Sequence, residues 1–413
     1  MNNTLKNICS VSSGFEGDRF VGIRFYDGVP EVHFPLGFSI SDDEKELRND
    51  ICLLIKILKK FGYRDKQMGA TIFTDDTSES LPLSAYQRMI QRYLDYGNYT
   101  EHETIYKEAK KGRINWSRTI KNIKPMIQGN NAVYTDFIVR DSNIKEHTLI
   151  AEIFQYCVYI SFERIGWIYS NRTFVKPRIK YNQKLFLNAI AEKLSVTYSD
   201  KDKELLTDMT TIIKETGDDK DIKKNYSYGT FEFEYVWEKL IDFAYGIQNK
   251  SDYFPKTSWY IKDSKQSKEN HCLEPDTIMC DKDYIFVLDA KYYRYGVTKY
   301  PGHLPDTSSI QKQITYGEFI HTNKGISADR IYNAFLLPAN LTPCLSETEP
   351  SHLSYLGMAM SDWKQNNRPY EKVAGILVDT KFLMVNHTNR TLLKVEMSKT
   401  ILDNIDERRN NNG

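Results

Sequence analysis

Leu273-Glu274-Pro275-Asp276, followed eight residues later by Ile285-Phe286-Val287-Leu288-Asp289-Ala290-Lys291, decides how this chain is read. The second run is apolar until it meets an Asp and a Lys two positions apart. On a strand, residues i and i+2 point to one face, so Asp289 and Lys291 project side by side. If Lys282-Asp283 is a two-residue turn, Asp281 faces Tyr284, and the same antiparallel register sets Asp276 opposite Asp289. Their Cβ atoms would then lie roughly 4.5–5.5 Å apart. Two carboxylates at that distance repel unless a cation lies between them, and hard oxygen donors call for Mg²⁺. Lys291 beside them could orient or help deprotonate a water, or neutralise charge developing on a phosphate. Asp-x-Lys alone carries no weight, because it recurs at Asp43, Asp218, Asp221, Asp263, Asp362 and Asp379. Asp379-Thr380-Lys381 has the same apolar lead-in, yet no Pro-Asp on a preceding hairpin strand faces it.

Outward from this hairpin, residues 231–245 read as a helix with Phe233, Val236, Trp237, Leu240 and Ala244 on one side, and residues 307–320 as another. Strands are expected at 259–262, 330–337, 353–360 and 373–378, so this half is a mixed α/β or α+β domain. Earlier, 20–26 and 29–34 flank Asp27-Gly28, a hairpin turn signal. Ser41, three residues before Glu44, suggests a capping box for a helix carrying Leu47, Ile51, Leu54, Ile55 and Leu58. Helices are also expected at 85–96, 148–169 and 185–194. Residues 201–224, dense in mixed charge and broken by Gly217-Asp218-Asp219, read as a loose connection.

With 413 residues, the chain has room for two or three domains at ~100–200 residues each. Its 56 Lys and Arg against 55 Asp and Glu exclude a protein that coats nucleic acid through a dominant positive field. The charge is local: residues 107–124 hold seven basic residues and one acidic around Trp116. Six scattered cysteines without a Cys-x-x-Cys pair indicate neither a disulfide scaffold nor a zinc ribbon. Residues 1–13 lack the apolar core of a secretory signal, and the longest apolar stretch, 149–169, is broken by Glu152, Glu163 and Arg164. A cytoplasmic protein without a membrane span is expected. No Gly-x-x-x-x-Gly-Lys-Ser/Thr motif occurs, so any nucleotide hydrolysis belongs to another protein. No zinc-finger spacing appears and no helix-turn-helix stands out, which leaves site recognition to a partner as well.

Pro275-Asp276 and Asp289-Ala290-Lys291 resemble the PD-(D/E)xK nuclease motif. With Phe233-Glu234-Tyr235-Val236-Trp237-Glu238 on the preceding helix and Val287 to Tyr293, they look like the McrC-type nuclease subunits, most of all the LlaJI-family restriction endonuclease subunits and the BsuMI components. Phe20-Val21-Gly22, Phe34-Pro35-Leu36-Gly37 and Gly112-Arg113-Ile114-Asn115-Trp116 extend the resemblance into the first half. It implies an N-terminal mixed α/β partner-interaction domain over 1–170, a connecting helical segment over 171–225 and a PD-(D/E)xK nuclease domain over 226–413, its central mixed sheet flanked by helices. It also implies a Mg²⁺-dependent endonuclease subunit acting on double-stranded DNA with an McrB-like AAA+ GTPase or NTPase, and a cognate cytosine methyltransferase in the same system. Asp276, Asp289 and the Ala290 carbonyl would hold the metal, helped by Glu234, with Glu238 one turn later as its rival. Lys291 would position water or stabilise charge, and Gln313 would be the family's glutamine on the following helix, with Gln311 and Tyr316 near it. Arg113, Trp116 and Arg118 would touch DNA or the partner, or form a solvated surface. A regulatory subunit that stimulates the partner NTPase without cutting is the alternative.

Overall fold

In the computed structural model the hairpin has the register expected of it. Thr277–Asp281 pairs antiparallel with Tyr284–Ala290, Thr277 facing Leu288 and Asp281 facing Tyr284. Lys282, at φ 53°, takes the positive torsion of the tight turn. Tyr284–Ala290 runs parallel to Ile331–Ala339, which runs parallel to Lys372–Asp379; Leu353–Met360 closes the far edge antiparallel. The result is a five-stranded mixed sheet with the hairpin at one edge. Ile331–Ala339 is buried at every position, as a central strand covered on both faces must be. The helix Thr307–Lys324 seals Val287, Ile278 and Ile331 with Tyr316 and Ile320. Phe233–Tyr245 and Arg390–Asn410 pack against the same sheet and against each other. The mixed α/β class is the one expected.

The structure describes residues 5–26, 29–62, 79–80, 82–145, 147–170, 174–217, 225–262, 267–341 and 352–410. The proposed turn Asp27-Gly28 and Cys344 lie outside them; the other five cysteines are free thiols.

A second sheet is built from both ends of the chain. Its order is Cys9–Val11, Val29–Phe34, Val21–Tyr26, Tyr226–Thr230, Glu79–Ser80. Tyr226–Thr230 lies antiparallel to Val21–Tyr26 with Gly229 opposite Gly22. The chain consequently divides into one compact unit of Met1–Ser80 with Asn225–Gly413 and another of Leu81–Lys224. These are not the boundaries expected at 170 and 225, because a strand pairing across two hundred residues leaves no local signal. Phe34-Pro35-Leu36-Gly37 joins this sheet to the first. The Leu36 N–H donates to Tyr292 Oη at 2.7 Å, and Thr380 Oγ1 donates to the Leu36 carbonyl at 2.9 Å. Gly37 stands at φ +76°, where a Cβ would lie 2.8 Å from the Ala339 backbone. Torsional strain and a backbone clash together should make Gly37→Ala cost roughly 2–4 kcal/mol, read as a lowered melting temperature. An unchanged melting temperature would mean that this junction yields freely.

Two local expectations are corrected. Glu44–Phe61 is helical, but its N-cap is Asp43, which accepts from the Glu46 N–H at 2.8 Å, while Ser41 Oγ bonds the Glu46 carboxylate at 2.7 Å. Residues read as a loose connection from 201 are largely the helix Asp200–Thr216, capped by Ser199. Leu205, Leu206, Met209, Ile212 and Ile213 form a buried stripe that the surrounding charge concealed.

The Leu81–Lys224 unit holds the helices Leu83–Tyr96, Leu149–Ile165, Gln183–Ser195 and Asp200–Thr216 and a three-stranded sheet of Glu101–Ala109, Phe137–Lys145 and Arg113–Ile114. Among the described residues, no helix is long and apolar enough to cross a membrane.

Candidate active site

Asp276 stands one residue before its strand and continues the register opposite Asp289. Its Oδ2 accepts the Ala290 N–H at 2.9 Å, and its own carbonyl accepts from Lys250 Nζ, an ammonium also 3.0 Å from Asp242. Asp289 is 8% exposed, and its Oδ2 lies 2.7 Å from Lys291 Nζ. The backbone beneath is fixed: the Lys291 N–H donates to the Leu336 carbonyl at 2.9 Å, and Trp237 Nε1 donates to the same oxygen at 3.3 Å.

The electrostatics follow from this crowding. Asp276 is pushed up to about 8, first by burial and then by the charges of Asp289, with which it shares a hydrogen bond, and of Glu238. Burial alone would lower Lys291, but the charge and hydrogen bond of Asp289, and the charge of Asp276, outweigh it and hold the ammonium above the ordinary lysine value. In the metal-free chain these two carboxylates therefore favour the charged form of Lys291.

Glu238, half-buried, is raised by burial and by the charge of Asp289. Glu234, one turn earlier on the same helix face, is exposed. The structure thus sets Glu238 in the field of the aspartate pair and Glu234 further out. Gln313 is buried and donates from Nε2 to the Val287 carbonyl at 2.6 Å, so it braces the strand that carries Asp289. Gln311 bonds Ser361 Oγ at 3.0 Å. Tyr316 is buried with its hydroxyl unpartnered and is raised by burial and by the charges of Asp289 and Asp276. Gln313→Ala would remove a buried hydrogen bond to the strand two residues before Asp289, which should cost about 0.5–1.5 kcal/mol in urea denaturation. Stability equal to that of the unsubstituted chain would remove the bracing role.

The competing Asp379-Thr380-Lys381 is accounted for structurally. Asp379 caps the helix Thr380–Asn386 through the Phe382 N–H at 2.8 Å and accepts the Leu341 N–H at 3.0 Å; Lys381 pairs with Asp50 at 2.6 Å.

A cavity of about 310 Å³ lies at the end of the strand Tyr284–Ala290, lined by Glu234, Glu238, Ala290, Lys291, Tyr292, Tyr293 and Phe231, and by Ser12, Gly14 and Arg19 from the chain's beginning. Sequence reasoning missed the last three, since no motif marks them and the hairpin lies over 250 residues away. A larger groove of about 640 Å³ in the Leu81–Lys224 unit, lined by Tyr93, His147 and Glu152 among others, holds no acid pair. Among the described residues, no three His, Cys, Asp or Glu side chains converge to hold a metal by themselves. Mg²⁺ does not need three, as it is commonly held by one or two carboxylates with waters and substrate phosphates. The all-oxygen set of Asp276, Asp289 and the Ala290 carbonyl, with Asp276 raised by burial and by the charges of Asp289 and Glu238, fits such an ion.

In the other unit, Arg113 lies opposite Arg140 in the sheet. Trp116 begins the helix Trp116–Asn122, 53% exposed, its ring edge-on to Phe137 at 5.7 Å. The Arg118 guanidinium stacks 3.8 Å from the Tyr106 ring centroid.

A mixed sheet flanked by helices, with an acid pair and a lysine at the end of an edge hairpin, is the arrangement of a restriction-endonuclease-like fold. Over residues 20–360 the chain matches the LlaJI restriction endonuclease family, and it belongs to that family. It is 27% identical over 321 residues to the "Type II restriction enzyme BsuMI component YdjA" of Bacillus subtilis (strain 168), covering 72% of this chain and 67% of that protein. A chain of a Thermococcus gammatolerans assembly of McrB AAA+ hexamers with bound McrC aligns over 90% of this chain and 82% of its own length, at 14% identity; its TM-score of 0.34 carries no argument.

Proposed function

We propose that this chain is the DNA-cutting subunit of a multi-subunit restriction system of the LlaJI or McrBC kind, hydrolysing phosphodiester bonds of double-stranded DNA with Mg²⁺ in concert with an AAA+ NTPase. The observation that carries this reading is the hairpin register that brings Asp276 against Asp289-Ala290-Lys291, whose last two residues line a cavity with Glu238. Asp276, Asp289 and the Ala290 carbonyl would hold the ion, with Glu238 the better placed of the two helix glutamates to bind it or its water. Bound there, Mg²⁺ supplies Lewis-acid stabilisation and an activated water. Lys291 stabilises the charge that develops on the phosphate, which its ammonium suits. Gln313 keeps the strand end in place.

The absence of a nucleotide-binding motif supports assigning NTP hydrolysis to a partner. Trp116, Ile120, Met126 and Ile127, each more than half exposed beside Arg113 and Arg118, favour a protein over a phosphate backbone as the occupant of that surface. The same surface supports the second reading, a subunit that stimulates its partner's NTPase and does not itself cut. A methyltransferase that protects host DNA completes the system, which acts in the cytoplasm.

The test combines the chain, its AAA+ partner, NTP and plasmid DNA. Strand breaks are expected with Mg²⁺ and none with EDTA. Stimulated nucleotide hydrolysis without breaks under any metal would sink the nuclease reading and support the regulatory one.

A further inference from the structure

The segment between the strands Cys9–Val11 and Val21–Tyr26 carries Arg19 to the cavity lined by Glu234, Glu238, Ala290 and Lys291, the last two following Asp289 on its strand end. Of the two cations there, Lys291 is committed to Asp289 at 2.7 Å. Arg19 is exposed and, among the described residues, makes no ion pair or hydrogen bond, although Glu234 and Glu238 line the same cavity. The segment that presents it is firmly built. Ser12 Oγ donates to the Asp18 carbonyl at 2.6 Å, and the Ser13 N–H donates to Asp18 Oδ2 at 2.8 Å. The carboxylate adjacent to Arg19 in sequence is thereby occupied by Ser13. Phe15 lies under the Arg294 guanidinium at 3.6 Å, which ties the segment to the stretch three residues beyond Lys291. Arg294 is itself held by His303 Nε2 at 2.8 Å.

An uncommitted guanidinium on a fixed segment, at the rim of an acid-lined cleft, has one complementary ligand in a nuclease. That ligand is the phosphodiester backbone, which a planar fork of N–H donors grips in two-point fashion where a lysine offers a single charge. We propose that Arg19 binds a backbone phosphate of the DNA strand being cut and so positions that strand over Asp276, Asp289 and Lys291. This rests on the nuclease reading above. It makes the beginning of the chain part of the substrate site rather than of a partner-binding module alone.

The experiment uses the full chain with its AAA+ partner and compares the unsubstituted protein with Arg19→Ala and Arg19→Lys. Cleavage of a duplex in Mg²⁺ gives kcat/KM, and fluorescence anisotropy of the same duplex in Ca²⁺ gives the salt dependence of binding. Arg19→Ala should lower kcat/KM by about 10- to 100-fold, the worth of a charge-assisted hydrogen bond to substrate. The slope of log K against log salt should become shallower by about 0.9, one phosphate contact. Arg19→Lys should keep the slope and recover part of the rate, and neither variant should shift the melting temperature or the partner's NTPase rate. Arg19→Ala cutting at the parental rate with the parental slope would overturn the proposal. So would equal losses in Arg19→Ala and Arg19→Lys at an unchanged slope, which mark a positional effect only. If the unsubstituted complex cuts nothing, the nuclease reading fails and the slope alone decides: shallower in Arg19→Ala upholds the phosphate contact, unchanged overturns it.

Discussion

Asp289→Asn is expected to lower DNA cleavage by about three orders of magnitude or more, since on the proposed reading it removes one of two carboxylates from a site whose metal would supply several kcal/mol of transition-state stabilisation. The side chain keeps its shape, so the fold should survive, and the metal-free protein should respond to pH in a way that separates this site from a mere surface pair. In the metal-free chain Asp276 titrates at about 8 against an ordinary 3.8. Between those values the folded chain holds a proton that the unfolded chain has released. The stability this confers is whole below pH 4 and is lost as pH rises toward 8, at up to about 1.4 kcal/mol per pH unit. Burial is the first cause of the shift and the Asp289 charge the second, so Asp289→Asn should reduce that slope without erasing it. Denaturation in EDTA at pH 5 and pH 8 measures it. Native cleavage by this variant would end the assignment, and an unaltered pH slope would show that the two carboxylates do not interact.

Lys291→Met is expected to cost about 10²- to 10³-fold in cleavage, the range for removal of one preorganised charge-stabilising group. Because Asp289 holds Lys291 in its charged form, the variant should lose rate at every pH instead of shifting the profile, as loss of a titrating base would. Lys291→Arg, which keeps the charge, should retain a measurable fraction. A Lys291→Met enzyme whose rate recovers fully at high pH would return the lysine to a proton-accepting role. In the metal-free chain this substitution also leaves Asp289 without its cation at 2.7 Å, so metal should stabilise the variant more than the parent.

The hairpin was legible because register is arithmetic once a two-residue turn is granted, and the strands at 331–339, 353–360 and 372–379 announced themselves by apolar content. The choice between Glu234 and Glu238 was not legible. Residues four apart share a helix face, and which turn reaches the strand end depends on where Phe233–Tyr245 docks, a tertiary fact. The helix Asp200–Thr216 was missed because its outer face is almost wholly charged, and charge density outweighed a five-residue stripe. Ser12, Gly14 and Arg19 were invisible for a further reason: their place is set by strand pairing between distant segments, and a linear pattern carries no trace of it.

That pairing orders events during synthesis. Cys9–Val11, Val21–Tyr26 and Val29–Phe34 leave the ribosome first, but the edge of Val21–Tyr26 has no partner until Tyr226–Thr230 emerges, and the carboxylates and lysine emerge later still. A chain stopped anywhere before its last third has the rim of the cleft without the acids, and a fragment beginning after residue 230 has the acids without the rim. On the proposed nuclease reading, a nascent or clipped copy would thus be incomplete at its own cutting site.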